Sequence, residues 1–257
     1  MHAHPGVTML DWINTLTGGQ APVVIALAAA VALIAISRIV RVLEPRLAAT
    51  RMGVRSAKYL AMALRSAAMT AAVVAIVWCL GLRNGSTDLG AALSDMGLRF
   101  GFDANDGAAL TLAMFAASAI ISAVVAWVRQ MAGGAPTREA LDFLPVTPAE
   151  TAVFGSVLAP IGSAGEEIVF RGFLMGQLWA LTGDGWIAAA LSSVAFGLMH
   201  GYQGPWGIVR TGLIGMVFAV GVLLTGSLVP SIIAHLFANV AGTIQRVGTK
   251  TSAPREA

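Results

Sequence analysis

The chain has 257 residues, of which 57% are hydrophobic and 11% are charged, and its mean hydropathy is +0.78. Soluble domains carry about 25% charged residues, so this composition excludes an ordinary soluble protein and indicates a polytopic protein surrounded by membrane lipid. The net charge of +3 is too small to indicate a nucleic-acid partner.

Several apolar segments approach the length of about 20 residues that a membrane-spanning helix needs. They are 21–40, 60–82, 108–128, 151–181, 186–200, 208–225 and 228–245. These segments are long and rich in alanine, and they lack the short alternating pattern of membrane barrel strands. The sequence therefore predicts an all-α transmembrane helix bundle with seven helices, or with eight if one segment is divided.

The fourth segment, 151–181, is the one that a division would affect. At about 1.5 Å per residue it would extend over roughly 45 Å, which exceeds the thickness of the hydrocarbon core. Pro160, Gly162 and Gly165 lie in its first half. These residues predict a break or a kink just before Glu166, which would leave a half-helix followed by a span.

The charges in the connections predict the orientation of the bundle. The connection 41–58 contains the basic residues Arg41, Arg46, Arg51, Arg55 and Lys58. The connection 83–107 is mainly acidic instead, with Asp88, Asp95, Asp103 and Asp106 against Arg83 and Arg99. Because basic connections stay in the cytoplasm, we expect the N-terminus outside and the C-terminus in the cytoplasm, in a bacterial plasma membrane.

Three charged residues stand in the apolar fourth segment, where a charge costs several kcal/mol unless it has a partner or a function. They are Glu166, Glu167 and Arg171. Glu167 and Arg171 are four residues apart, so on a helix they form an ion pair on one face. Glu166 points about 100° away from Glu167 and is predicted to face a cavity as a carboxylate without a partner.

Two later segments add polar groups of a complementary kind. His200 lies at the end of the fifth apolar segment, and His235 and Asn239 share one face of the last segment because they are four residues apart. If Glu166 meets these three side chains inside the bundle, the set supplies a general base, a proton shuttle and hydrogen-bond donors for an oxyanion.

The order and spacing of these polar residues resemble a known family. The motifs are Glu-Glu-x-x-x-Arg at Glu166, Glu167 and Arg171, Phe-x-x-x-His at Phe196 and His200, and His-x-x-x-Asn at His235 and Asn239. Together they resemble the CAAX-processing and bacteriocin-processing (CPBP) family of intramembrane proteases, which includes the type II CAAX prenyl endopeptidase. The resemblance covers about 95–242 and implies hydrolysis of peptide bonds in a membrane-associated or lipidated protein or peptide.

The resemblance also implies roles for the motif residues. Glu166 together with His200 would activate the attacking water, and His235 with Asn239 would bind the oxyanion. The supporting residues would be Glu167, Arg171 and Phe196.

The resemblance leaves the involvement of a metal open, because the family is widely labelled metalloprotease. Two imidazoles and one carboxylate suit a catalytic zinc, and the candidate ligands are Glu166, His200 and His235. The sequence has no His-Glu-x-x-His motif. We therefore favour a glutamate mechanism without a cofactor.

Two other functions are compatible with the same residues. A non-catalytic membrane adaptor or a bacteriocin-immunity-type protein could keep the fold without the chemistry. A proton- or ion-coupled transporter could use the intramembrane glutamate and histidines as a relay, although the sequence shows no internal repeat.

The apolar segments and the motifs together predict four regions. An N-terminal tail covers 1–20, and N-terminal transmembrane helices with an outer loop cover 21–94. A protease-like core covers 95–245, and a disordered C-terminal tail covers 246–257.

Overall fold

A computed structural model of the chain describes residues 54–83, 88–95 and 104–251. Within these ranges every regular element is a helix and there is no strand. This confirms the predicted all-α membrane bundle. The predicted tail at 1–20 and the first predicted span at 21–40 lie outside the described residues.

Eight helices make up the described part of the chain. They are α1 Val54–Arg83, α2 Leu89–Asp95, α3 Ala104–Met131, α4 Arg138–Phe143, α5 Pro148–Thr182, α6 Gly185–Met199, α7 Gly204–Thr225 and α8 Val229–Thr251. Among them, α1, α3, α5 and α7 contain segments that are long and apolar enough to cross a membrane, and α6 and α8 contain shorter apolar stretches. Each predicted span after residue 54 therefore corresponds to one helix.

The break predicted in the fourth segment is wrong, because α5 is helical from Pro148 to Thr182 without interruption. The alternative of a kink stays a prediction. A π-helical stretch at Phe154–Leu158 ends where the Ala159 N–H donates to the Phe154 carbonyl, five residues back. Pro160 follows this widened turn directly. A π turn changes the local hydrogen-bond register, so the helix can continue past a proline that has no N–H.

A second π-helical stretch in α5 begins immediately after the two glutamates. It covers Ile168–Leu174 and includes Arg171. Single π turns inside α-helices are frequent at functional sites because they change the direction in which neighbouring side chains point. In α5 this stretch lies between Glu167 and the last α-helical part, Met175–Thr182.

Helix α5 is the most enclosed of the four long spans. The apolar window of α5 is 56% buried, compared with 22% for α1 and α3 and 39% for the window that contains α7. Its buried side chains Val169, Phe170 and Phe173 form one apolar cluster with α1, α6 and α7. Glu166, Glu167 and Arg171 are thus held in the centre of the described bundle.

Close approach of the helices around α5 depends on glycine. A Cβ atom at Gly197 in α6 would lie 2.7 Å from the Ile208 carbonyl oxygen in α7. A Cβ atom at Gly165 in α5 would collide with the Ser66 hydroxyl in α1. Small residues are typical of helix contacts in membranes, where backbones pack directly against each other.

Helix α8 extends beyond the predicted boundary at 245, since its helical backbone continues to Thr251. The rest of the predicted C-terminal tail, 252–257, lies outside the described residues. His235 and Asn239 are in the first half of α8, next to α5 and α7.

Candidate active site

Three helices bring both intramembrane histidines to Glu166. The Glu166 Oε2 atom lies 3.9 Å from His200 Nε2, at the end of α6, and 3.8 Å from His235 Nε2, in α8. Both imidazoles therefore point to the same carboxylate oxygen. The sequence predicts that these three residues meet, and the structure brings them together.

His200 is oriented by its own helix. It is the C-cap of α6, and its Nδ1 atom lies 2.8 Å from the Phe196 carbonyl oxygen, one turn earlier. Because a carbonyl oxygen only accepts hydrogen bonds, Nδ1 carries the proton in this contact. In the neutral imidazole Nε2 is then an acceptor, and it is this atom that faces Glu166.

His235 is oriented by the second glutamate. Its Nδ1 atom lies 2.8 Å from Glu167 Oε1, and the same oxygen accepts a hydrogen bond of 3.2 Å from Arg171 Nη1. The pairing of Glu167 with Arg171 follows from their spacing in the sequence. The contact with His235 does not, because the two residues are 68 positions apart on different helices.

Arg171 packs against two aromatic rings that also contact the histidines. Its guanidinium carbon lies 4.3 Å from the centroid of the Phe196 ring and 5.7 Å from that of Phe218. Its Nε and Nη2 atoms are buried and have no hydrogen-bond partner in the described part of the chain. Contact with ring faces offsets part of that cost.

Phe196 and Phe218 also contact the histidines. The Phe196 ring lies 4.6 Å from the His200 ring and 6.0 Å from the His235 ring, in edge-to-face arrangements. Phe218 lies 5.1 Å from His235. Phe196 thus contacts both histidines, as its predicted supporting role requires. Phe218 belongs to no sequence motif that could have identified it.

Asn239 is held by a hydrogen bond to a serine of α5. Its Nδ2 atom donates to Ser163 Oγ at 3.0 Å. It lies one turn after His235 on α8, as the spacing predicts. Ser163 is fully buried in α5, one turn before Glu167. The sequence gives no signal for this contact with Ser163.

A cleft between α1 and α5 gives access to Glu166. The carboxylate is one lining group of this cleft, and its side chain is 22% exposed, whereas that of Glu167 is completely buried. The other lining residues include Met62, Arg65, Ser66, Met69 and Met199. No sequence motif points to Arg65, because it belongs to an apolar segment without one.

Glu166, His200 and His235 also contain the donor atoms that zinc prefers, at about 2.0–2.2 Å from the metal. Among the residues that the structure describes, no group of three or more His, Cys, Asp or Glu side chains could hold a metal ion. The metalloprotease interpretation gains no support from this arrangement, and the mechanism without a cofactor stays a prediction.

A comparison with protein families identifies the segment that contains these residues. The family model described as type II CAAX prenyl endopeptidase Rce1-like matches residues 146–241. The match includes every predicted site residue from Glu166 to Asn239, and begins later than the expected 95. Neither a curated protein nor a solved structure matches the chain significantly. The resemblance to the CPBP family is thus confirmed, since residues 146–241 are similar to the Rce1-like type II CAAX prenyl endopeptidases.

Proposed function

We propose that this chain is an intramembrane endopeptidase in which Glu166 and His200 activate the water that attacks the peptide bond. The family match supports protease activity in general. The observation that carries the mechanism is the convergence of two imidazole nitrogens, at 3.8 and 3.9 Å, on one partly exposed carboxylate oxygen.

The first step requires a water between Glu166 and His200. Their separation of 3.9 Å is too long for a direct hydrogen bond, and it is a distance that a bridging water spans. Both groups are acceptors, so the water donates one hydrogen to each and keeps a lone pair for the attack. As its oxygen bonds to the carbonyl carbon, Glu166 takes the proton and the carbonyl electrons move to oxygen.

The developing oxyanion is stabilised by donors from α8. When His235 carries both ring protons it donates Nδ1–H to Glu167, and its Nε2–H points toward Glu166, 3.8 Å away, beside the place where the oxyanion forms. Asn239 uses one Nδ2 hydrogen for Ser163 and has the other free. Such preorganised donors contribute about 3–4 kcal/mol each to catalysis in proteases.

The second step separates the products. The tetrahedral intermediate collapses, the C–N bond breaks, and the leaving amine takes the proton that Glu166 received from water. Glu166 returns to the carboxylate form, and the new carboxyl group leaves with the other product. Glu167, Arg171 and Phe196 take no part in these proton transfers; they position His235 and His200.

The substrate class follows from the position of the cleft. Glu166 is reached between α1 and α5, which are both long enough to span a membrane. A protein or peptide that is itself held in the membrane, by a hydrophobic segment or by a lipid group, can enter such a cleft. We therefore propose a membrane-associated or lipidated protein or peptide as the substrate.

New protein termini in host membranes test the proposal. Membranes that contain wild type, Glu166→Gln or Asp142→Asn are compared at equal expression. Asp142 is a suitable control because its side chain is 60% exposed and pairs with the surface residue Arg138. We expect a set of new termini in wild type and in Asp142→Asn that is missing in Glu166→Gln. Identical profiles in all three would favour the non-catalytic adaptor.

A further inference from the structure

Two arginines outside the active site lie close together where α3 ends and α7 begins. Arg129 is in the last turn of α3, and Arg210 is in the second turn of α7. Gly134, in the connection after α3, lies beside both the Arg129 side chain and Trp206, which is one turn before Arg210 on the same face of α7. Two like charges repel each other in this partly buried position, so their proximity needs a compensating interaction.

The described residues give these arginines little compensation. The Nε atoms of both are buried without a hydrogen-bond partner in the described ranges, and neither side chain forms an ion pair there. Arg210 Nη2 donates a hydrogen bond of 2.6 Å to Gln203 Oε1, which is the hydrogen bond that the two guanidinium groups make within the described ranges. Because the Nε atoms are buried, an anion beside the arginines is reached through their Nη groups, of which Arg210 Nη2 already donates to Gln203.

The connection after α3 and the start of α7 add to this positive region. A Cβ atom at Gly134 would lie 2.9 Å from Arg129 Cγ and 3.2 Å from the indole Nε1 of Trp206. The N–H group of that indole is thus close to the Arg129 side chain. Trp206 is also in the first turn of α7, at the positive end of the helix dipole.

The surroundings indicate a lipid as the source of the anion. Helices α3 and α7 belong to candidate membrane spans, and their lipid-facing side chains here, Trp127, Met131 and Val209, are exposed and apolar. Tryptophan at the end of a span is typical of the membrane–water boundary. Basic pockets between transmembrane helices at this depth bind the headgroups of anionic lipids.

We propose that Arg129 and Arg210 bind the phosphate group of an anionic phospholipid at the end of α3 and α7. The site is connected to the active site through two hydrogen bonds and one contact between rings. Gln203, which accepts from Arg210, donates to the Tyr202 hydroxyl at 3.0 Å, and the Tyr202 ring lies 6.0 Å from the His200 ring. A bound headgroup therefore adds a contact to the turn that follows His200.

Thermal unfolding in nanodiscs tests this site. The full chain is placed in phosphatidylcholine alone or in a mixture with phosphatidylglycerol. We expect phosphatidylglycerol to raise the Tm of wild type by about 3 °C or more, and to have no such effect on the double variant Arg129→Gln/Arg210→Gln. Arg138→Gln is the control, since its side chain is 92% exposed at the surface and should leave the lipid effect unchanged.

Two results would contradict the proposal, one from the nanodiscs and one from the protein in detergent. An equal rise in Tm for the double variant would place the lipid effect elsewhere. An equal stabilisation of the detergent-solubilised protein by inorganic phosphate would show that the site binds a soluble anion instead of a lipid.

A second measurement needs no variant and therefore does not depend on the folding of one. Wild type is crosslinked to a photoreactive phosphatidylglycerol, and the labelled peptides are mapped. We expect labelling concentrated in 127–134 and 203–210, and a loss of labelling when excess unlabelled phosphatidylglycerol is added. Labelling spread evenly over all lipid-facing helices would overturn the assignment.

Discussion

Two glutamates that are adjacent in the chain occupy different environments, and this difference separates their roles. Glu166 lines the cleft and has two imidazole nitrogens just beyond hydrogen-bonding distance. Glu167 is buried and accepts from Arg171 and His235 on a single oxygen. A carboxylate with space beside it can accept a proton from water, whereas one with two fixed donors acts as a support.

Replacing the buried glutamate should therefore affect both stability and rate. We expect Glu167→Gln to destabilise the fold by about 3 kcal/mol, because it leaves the Arg171 charge buried without its partner. It should also lower kcat by about 10- to 100-fold through the loss of His235 positioning. Thermal unfolding and kinetics of the purified protein measure the two effects.

Glu166→Gln is the matched comparison for that variant. It should abolish activity while leaving the Tm within about 1 °C of wild type, since both imidazole nitrogens beside Glu166 lie beyond hydrogen-bonding distance. If Glu167→Gln left both Tm and kcat unchanged, the support role assigned to Glu167 would be wrong.

Ser163 should act on catalysis only through Asn239. Ser163→Ala removes the acceptor that holds the Asn239 amide, so we expect kcat to fall about tenfold with little change in KM. In a background of Asn239→Ala the same substitution should have no further effect. Ser156→Ala is the control, because Ser156 bonds only to the Ala152 carbonyl within α5. Additive losses in the double variant would contradict the proposed coupling.

Metal removal tests the donor set of Glu166, His200 and His235. Because the proposed mechanism uses Glu166 and His200 to activate the water, we expect the purified protein to keep its activity after dialysis against a strong chelator. The measurement is the cleavage rate before and after dialysis, with the metal content followed by elemental analysis. Loss of activity that zinc alone restores would support the metalloprotease mechanism instead.

At the scale of elements, the support behind the site depends on the close packing of α7 on α5 and α6. A Cβ atom at Gly215 would lie 2.8 Å from Arg171 Nη2 and 3.0 Å from Phe196 Cδ1. We expect Gly215→Ala to lower the stability by about 1–3 kcal/mol and to reduce activity, because it displaces the guanidinium that holds Glu167.

A second glycine provides the control for this prediction. Gly176 lies in α5 with nothing within 4 Å of the position that a Cβ atom would take. Gly176→Ala should be neutral or slightly stabilising, because alanine is the better helix former. The Tm values of the two variants test the prediction. Equal values would show that the space around Gly215 is not limiting.

The helices themselves were predictable because length and apolar composition identify spans without reference to their neighbours. The expected 186–200 became Gly185–Met199, and 208–225 became Gly204–Thr225, which starts earlier because Pro205 suits a first helical turn. The short helices α2 and α4 were not predicted, since they are too short to form apolar spans. Pro160 was misleading because local rules do not include the π turn before it.

Within the site, spacing predicted what lies on one helix and not what lies between helices. The Glu167–Arg171 pair and the shared face of His235 and Asn239 follow from the helical period. The contacts of Glu167 with His235 and of Asn239 with Ser163 join different helices. Spacing within the sequence does not predict such contacts, and only the folded structure shows them.

At the scale of the whole molecule, the described chain is an integral membrane helix bundle whose site is enclosed by α5, α6 and α8. The orientation in the membrane, with the N-terminus outside and the C-terminus in the cytoplasm, remains a prediction from the charges of the connections. So does the division of the chain at 95 and 245, because the family match covers only 146–241.

The central claim is that Glu166 is the base that activates water. The most direct test is the cleavage rate of one identified substrate by purified wild type and Glu166→Gln in proteoliposomes, with substrate binding measured separately. We expect the variant to bind the substrate as wild type does and to cleave it about 1,000-fold more slowly or not at all. Cleavage within tenfold of the wild-type rate would contradict the account.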